Sequence, residues 1–231
     1  QAGLAVGYHL AKGDVDYVIL DGADRVGDSW RRRWDSLRLL TPAAFSGLPG
    51  LPFPARPAHL PDKDEVADYL ERYAQRFDLN VRPRSHVTAL RWNGLRYAID
   101  TDLLRYEAAR VVVATGPFQR ARIPALAVEL SPSIRQLHSS QYLNPFSLPH
   151  GDVLVVGAGN SGAQIALEVS RFRAVYLAGR RVGRLPRRFL GRDIHDWLWP
   201  VLSRLSRDRR LGRMVQRRIA TDPLIGLTEA D

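Results

Sequence analysis

Residues 153–166 read VLVVGAGNSGAQIA: four branched or long apolar residues, a glycine-rich corner, then small residues at helical spacing. That order of residue types specifies a buried-type strand, a tight turn and a helix start. Gly157, Gly159 and Gly162 stand in the pattern G-x-G-x-x-G, where the first glycine permits the turn and the second lets a pyrophosphate approach the backbone. The third lets helix and strand pack closely. A phosphate sits well on a helix N-terminus, so the run from Gly157 to Gly162, with Asn160 and Ser161 inside it, is assigned to a pyrophosphate. A merely structural glycine turn is the alternative, and the strand before and helix after favour the nucleotide. A hydrolase nucleophile elbow does not fit, because Ser161 is followed by Gly162 and Ala163 and G-x-S-x-G is not completed.

The strand expected next, residues 174–177, ends in Gly179-Arg180-Arg181. An acidic residue there would favour a free ribose hydroxyl, whereas paired guanidiniums suit a 2′-phosphate through bidentate, charge-assisted hydrogen bonds. Arg180 and Arg181 therefore select NADP over NAD. The chain has 34 basic residues against 24 acidic, and Lys12 and Lys63 are its only lysines. Such a charge invites a nucleic-acid or anionic-lipid reading, but the arginines are scattered rather than interleaved with stacking aromatics, except near the C-terminus. There an Arg series from Arg204 to Arg218, following Trp197 and Trp199, has the pattern of a basic amphipathic helix; a solvated face is the plainer reading, and no nucleic-acid partner is expected. Cysteine is absent, which removes thiolate metal sites and C-x-x-C redox chemistry and points to a cytoplasmic setting. The six histidines show no ligand spacing, so no metal is expected.

The chain enters on a helix of small and apolar residues, 1–10, with Gly13 as its C-cap, followed by a strand over 16–20 closed by Asp21. This is the back half of a second βαβ unit. Gly3 then reads as the third glycine of a fingerprint whose strand and first glycines lie upstream, and Asp21 falls where an acidic residue accepts ribose hydroxyls; a surface Asp ending an ordinary strand is the alternative. Residues 22–61 are rich in Gly, Pro and Arg and read as a functional covering loop. A helix begins at Asp62 with Glu65 placed for a capping box and Val66, Tyr69, Leu70, Tyr73 and Phe77 along one face. A short strand over 79–81 precedes strands over 86–92 and 95–101 that flank the hairpin turn Asn93-Gly94, and a third strand, 105–114, completes a meander. That strand ends on Ala114-Thr115-Gly116, a small-residue turn whose backbone can lie close to a ligand. Prolines 124, 132, 145 and 149 mark 118–150 as a connecting segment carrying LHSSQYLNP.

Two dinucleotide sites separated by a meander and an Ala-Thr-Gly turn resemble the flavin-containing monooxygenases. The resemblance covers nearly all 231 residues. It implies an α/β fold with two Rossmann-like dinucleotide-binding domains: an incomplete FAD domain with the meander, 1–125, and an inserted NADPH domain with its connecting segment, 126–231. It carries Gly3 and Asp21 to FAD, together with Gly27 and Trp30 in the loop that follows and Thr115 and Gly116 at the domain junction. The identifying motif of the family ends in His, three residues, then Tyr or Phe, which His138 and Tyr142 match; Pro132 and Ile134 replace its Phe and Gly. Tyr142 stands where Baeyer–Villiger relatives have Trp, which points away from ketone oxygenation. Thr41 is the nearest counterpart of the Asn that many N- and S-oxygenating members hold near the flavin, so Thr41 and His138 are the candidate catalytic residues. The resemblance further implies that NADPH reduces FAD, that dioxygen adds to the reduced flavin at C4a, and that one oxygen passes to a small nucleophilic nitrogen, sulfur or carbon substrate. An NADPH oxidoreductase that reduces FAD without oxygenating anything is the nearest alternative.

Overall fold

The computed structural model describes residues 1–116, 118–180, 182–204 and 224–225. Helix α1 (Ala2–Lys12) stops where expected, its cap residue Gly13 donating to His9 and Leu10 carbonyls. It packs on β1 (Ile19–Leu20), which is shorter than the expected strand. A four-residue helix, α2 (Asp28–Arg31), follows and lies across α3 (Lys63–Arg76). The start of α3 is the capping box its sequence announces: the Asp62 side chain accepts from Asp64 and Glu65 N–H, while Glu65 accepts from Asp62 N–H at 2.8 Å. Its apolar face buries Val66, Ala67, Tyr69, Leu70, Tyr73 and Ala74, and Phe77 caps its end.

Those tyrosines explain how a Pro- and Gly-rich loop becomes ordered. Tyr69 Oη accepts from Leu48 N–H at 2.6 Å and donates to the Leu51 carbonyl at 2.7 Å, and Tyr73 Oη donates to the Pro49 carbonyl at 2.7 Å. Buried phenols thus satisfy backbone groups that irregular chain would otherwise leave unpaired. After α3, β2 (Val81–Arg82) pairs parallel to β1, Ile19 facing Val81.

The meander is β3 (Val87–Trp92), β4 (Tyr97–Thr101) and β5 (Arg105–Ala108), antiparallel in that order. Two expectations change here. Trp92 pairs with Tyr97, so the turn spans 93–96 rather than two residues, because the Asn93 side chain accepts from both Leu95 and Arg96 N–H and closes the wider loop. The third strand also stops at Ala108 instead of reaching Ala114. Residues 109–116 have no ladder partner among the described residues, and Val112 and Val113 are exposed.

A second parallel pair, β6 (Val153–Val156) and β7 (Val175–Ala178), is joined by α4 (Asn160–Ser170), in the strand, corner and helix order expected. Helix α4 buries Ile165, Ala166 and Val169 against one face of the pair, while Leu154, Val156 and Tyr176 are exposed. Short strands β8 (Arg184–Leu185), β9 (Arg188–Phe189) and β10 (Arg192–Asp193) lead into α5 (Ile194–Arg204), and β11 (Leu224–Ile225) pairs parallel to β8. Helix on parallel strands makes the class α/β. Apart from Arg204, which ends α5, the expected basic helix to Arg218 lies outside the described residues. Among those described, no helix is long and apolar enough to cross a membrane.

Candidate functional site: two glycine-lined helix starts and the loop between them

The corner after β6 has a geometry that only glycine can hold. Gly157 has φ +115°, and a Cβ there or at Gly159 would project into open space, leaving the backbone face clear. At Gly162 a Cβ would lie 1.9 Å from the Gly157 carbonyl oxygen, far inside any tolerable contact. The three glycines therefore differ sterically: Gly157 makes the positive-φ turn, Gly159 opens on free space, and Gly162 packs against the turn. Ser161 is exposed at the helix start, while the Asn160 side chain accepts from Ile225 N–H at 3.4 Å and ties the corner to β11.

Gly179 was not foreseen as a site residue. A Cβ there would meet Ala158 N at 2.6 Å, so the end of β7 can lie against the glycine corner only without a side chain. A glycine directly ahead of the two arginines was the available signal. Arg180, next in the chain, is exposed at that strand end. Arg181 lies outside the described residues.

The N-terminal end of α1 gathers the second set. A Cβ on Gly3 would stand 3.7 Å from Ala114 Cβ and 3.8 Å from Ile19 Cγ2, so the Ala-Thr-Gly turn, β1 and the helix start meet there. Those distances are ordinary contacts; a Cβ on Gly7 would meet the terminal methyl of Ile19 at 2.6 Å, an atom that a change of side-chain rotamer can move away. Asp21 accepts from Ala23 N–H at 3.0 Å, closing the turn that follows β1. Thr115 offers its carbonyl to the Gln119 side chain, and Gly116 has φ +73° with open space beyond its Cα.

Gly27 has φ +92° and is buried, and a Cβ there would meet the Ala67 carbonyl at 2.6 Å. Its duty in the fold is thus to seat α2 on α3. Arg31 completes that seat, donating to Asp28 at 3.2 Å and Glu71 at 2.7 Å. Trp30 packs against both hydrophobic clusters, one built on α3 and the other on Trp34, Leu37, Tyr142, Ile165 and Val169. Residues 34–46 are consequently a strap between the two parallel units: Leu39 and Ala43 N–H donate to the Pro61 and His59 carbonyls, and Asp35 N–H to the Leu143 carbonyl. Thr41 sits half-buried on that strap.

His138 lies half-buried on the connecting segment. Its Nδ1 accepts from Ser140 N–H at 3.2 Å and lies 2.9 Å from Ser140 Oγ, closing a local turn. The other motif residue, Tyr142, is 4% exposed and donates to Glu168 Oε2 at 2.7 Å, linking the connecting segment to α4. Burial and the Glu168 carboxylate push its phenol far up from the ordinary value. No group of His, Asp and Glu among the described residues could hold a metal ion.

Comparison with known proteins places these features. Residues 1–210 match the family model for pyridine nucleotide-disulphide oxidoreductases. The uncharacterized CzcO-like oxidoreductase of Geobacillus kaustophilus is 44% identical over 98% of this chain and 65% of its own length. The probable indole-3-pyruvate monooxygenase YUCCA9 of Arabidopsis thaliana is 31% identical, covering 83% of this chain and 48% of its own. Among solved structures, a flavin-containing monooxygenase from Stenotrophomonas maltophilia superposes with a TM-score of 0.69 at 34% identity, over 75% of this chain and 53% of that one. The chain spans less than two thirds of the length of these relatives. It belongs to the pyridine nucleotide-disulphide oxidoreductase family and is similar to the flavin-containing monooxygenases.

Proposed function

We propose that the protein is a FAD- and NADPH-dependent monooxygenase that consumes dioxygen and oxygenates a small nucleophilic nitrogen, sulfur or carbon substrate. The observation that carries the reading is the glycine corner: Gly157 and Gly159 leave open space where side chains would stand, and Gly162 admits no Cβ at 1.9 Å from Gly157 O. Those residues fit a dinucleotide pyrophosphate, with Asn160 and Ser161 at the helix start and the Arg180–Arg181 pair on the 2′-phosphate. Gly3, Asp21, Thr115 and Gly116 fit the flavin nucleotide, Asp21 accepting ribose hydroxyls. Residues 1–125 form the flavin domain in this reading and 126–231 the nicotinamide domain.

When bound, the flavin supplies the redox chemistry, accepting a hydride from the nicotinamide and delivering oxygen to the substrate. The chain's own residues orient both nucleotides, and Trp30 of α2 together with the strap that carries Trp34 and Thr41 shields the place between them from water. Thr41 is the residue of that strap assigned to face the reacting centre. The turn that His138 closes positions Tyr142, which locks the connecting segment to α4. These 231 residues contain no cysteine, so they supply no thiol pair for disulphide reduction. A second reading, NADPH oxidation without oxygenation, uses the same two nucleotide sites and differs only in what becomes of the dioxygen.

One experiment separates the two. The full-length gene product is purified, its flavin is released and identified, and NADPH consumption is followed with amine and thioether probes. An oxygenated probe in proportion to NADPH supports the monooxygenase; peroxide alone supports the second reading. Arg180→Ala with Arg181→Ala should raise KM for NADPH by roughly ten- to a hundredfold, the loss of charge-assisted hydrogen bonds, and leave KM for NADH nearly unchanged. A colourless protein without coenzyme preference rejects both readings.

A further inference from the structure

A cluster of charged groups joins the strap to the β9–α5 region, and nothing in the proposed cofactor binding uses it. Arg187 donates through one terminal nitrogen to the Leu40 carbonyl, the residue before Thr41. Its Nε lies 2.8 Å from Asp193 Oδ2. The other carboxylate oxygen of Asp193 accepts from His195 N–H at 2.9 Å and lies 2.8 Å from His195 Nδ1. The three side chains are largely buried, Arg187 at 23% exposed, Asp193 at 19% and His195 at 12%. The cluster continues into apolar contact with the strap: Phe45 lies 6.1 Å from the His195 ring and 5.5 Å from the Trp199 ring.

The opposite side of the same stretch is held by other means. Leu39, Ala43 and Ala44 N–H donate to the Pro61, His59 and Pro57 carbonyls. Thr41 therefore sits between two anchorages, a backbone ladder on the α3 side and one guanidinium on the β9–α5 side. A guanidinium can do this because its fork is planar and rigid: with Nε on a carboxylate already oriented by His195, the terminal nitrogen has a fixed direction.

We propose that Arg187, oriented by Asp193 and His195, is a positioning residue that holds residues 40–45 of the strap and so fixes Thr41 over the reacting centre. The functional half of this proposal rests on the flavoprotein reading above; the anchoring half does not. Arg187 touches neither nucleotide in this scheme, and its effect runs through the Leu40 carbonyl.

The test uses the full-length protein with Arg187→Met and, as a second variant that keeps the buried volume, Asp193→Asn. Arg188→Ala, an exposed neighbour on β9, serves as control. Hydrogen exchange is read at the Ala43, Ala44, Phe45 and Ser46 amides, each bonded to a backbone carbonyl within the strap or at 57–59. Loss of a charge-assisted bond should speed their exchange by about ten- to a hundredfold, with α3 amides unchanged. In the flavin-loaded protein, KM for NADPH should stay within about twofold while the share of NADPH oxidation ending as peroxide rises. Unchanged exchange in both variants, or acceleration that includes α3 equally, overturns the anchor. Faster strap exchange with unchanged peroxide yield overturns the positioning role. If Arg187→Met does not fold, Asp193→Asn decides on the same readouts. A protein that binds no flavin refutes the function proposed above, and the exchange measurement still decides whether Arg187 holds the strap.

Discussion

Replacing Gly162 by alanine puts one methyl group where the chain has no room for it. The added Cβ would lie 1.9 Å from the Gly157 carbonyl oxygen and 3.1 Å from its carbonyl carbon, with Val155 Cγ1 at 3.5 Å on the other side. Backbone must move, since the obstructing atom is a carbonyl within the turn that Gly157 makes at φ +115°. Overpacking of this kind costs about 1–3 kcal/mol or more, against a gain of up to about 1 kcal/mol from the better helix propensity of alanine. Gly3 is the matched control, because its Cβ would meet nothing closer than 3.7 Å. Gly3→Ala should be neutral or stabilising by about 0.4–1 kcal/mol. Thermal unfolding should therefore separate the two: for a chain of this size 1 kcal/mol is roughly 2–4 °C in Tm, so Gly162→Ala falls by several degrees while Gly3→Ala holds or rises. Titration with NADP+ should show the same order, with binding lost in Gly162→Ala as the corner opens. A Gly162→Ala protein with unchanged Tm and unchanged NADP+ affinity would refute the close-packing argument and, with it, the assignment of this corner to a pyrophosphate.

Two further outcomes concern the scaffold. Asp62→Ala removes both hydrogen bonds that the side chain gives the start of α3 and should cost about 0.5–2 kcal/mol, seen as a lower urea midpoint at unchanged m-value. Burial pushes the Tyr73 phenol up to about 12, with Tyr69 and Tyr8 adding to the effect. A raised folded-state value stabilises the fold fully below the ordinary phenol range near 10 and loses that contribution as pH rises through about 12, so unfolding midpoints should fall across that window. Tyr73→Phe, which forfeits the bond to the Pro49 carbonyl, should flatten the fall, and an unchanged alkaline profile would contradict the burial assigned to this phenol.

Much of the architecture was legible because local rules and tertiary outcome agree. The strand, corner and helix at 153–170, the Asp62–Glu65 capping box and the meander around Asn93 all depend on interactions within a few residues. Where partners lie far away, the reading fell short. The VVV run at 111–113 has the composition of a strand, yet a strand exists only with a neighbour to bond, and β5 ends at Ala108. The residues of the covering loop carried the right composition for a functional segment, but nothing local says that two tyrosines of α3 would satisfy its carbonyls.

The sequence by itself determined the α/β class of this protein and the local geometry of its corner and caps. Glycine spacing and a capping Asp act through backbone geometry, which is written residue by residue. The tertiary structure alone decided which glycines bear steric load: a Cβ at Gly162 or Gly179 would strike backbone, whereas Gly3 has room for a methyl group. It also decided that Arg187 reaches Leu40, 147 residues away in the chain. Those outcomes depend on which atoms of distant segments arrive within van der Waals or hydrogen-bond range, and no pattern confined to one segment encodes that distance.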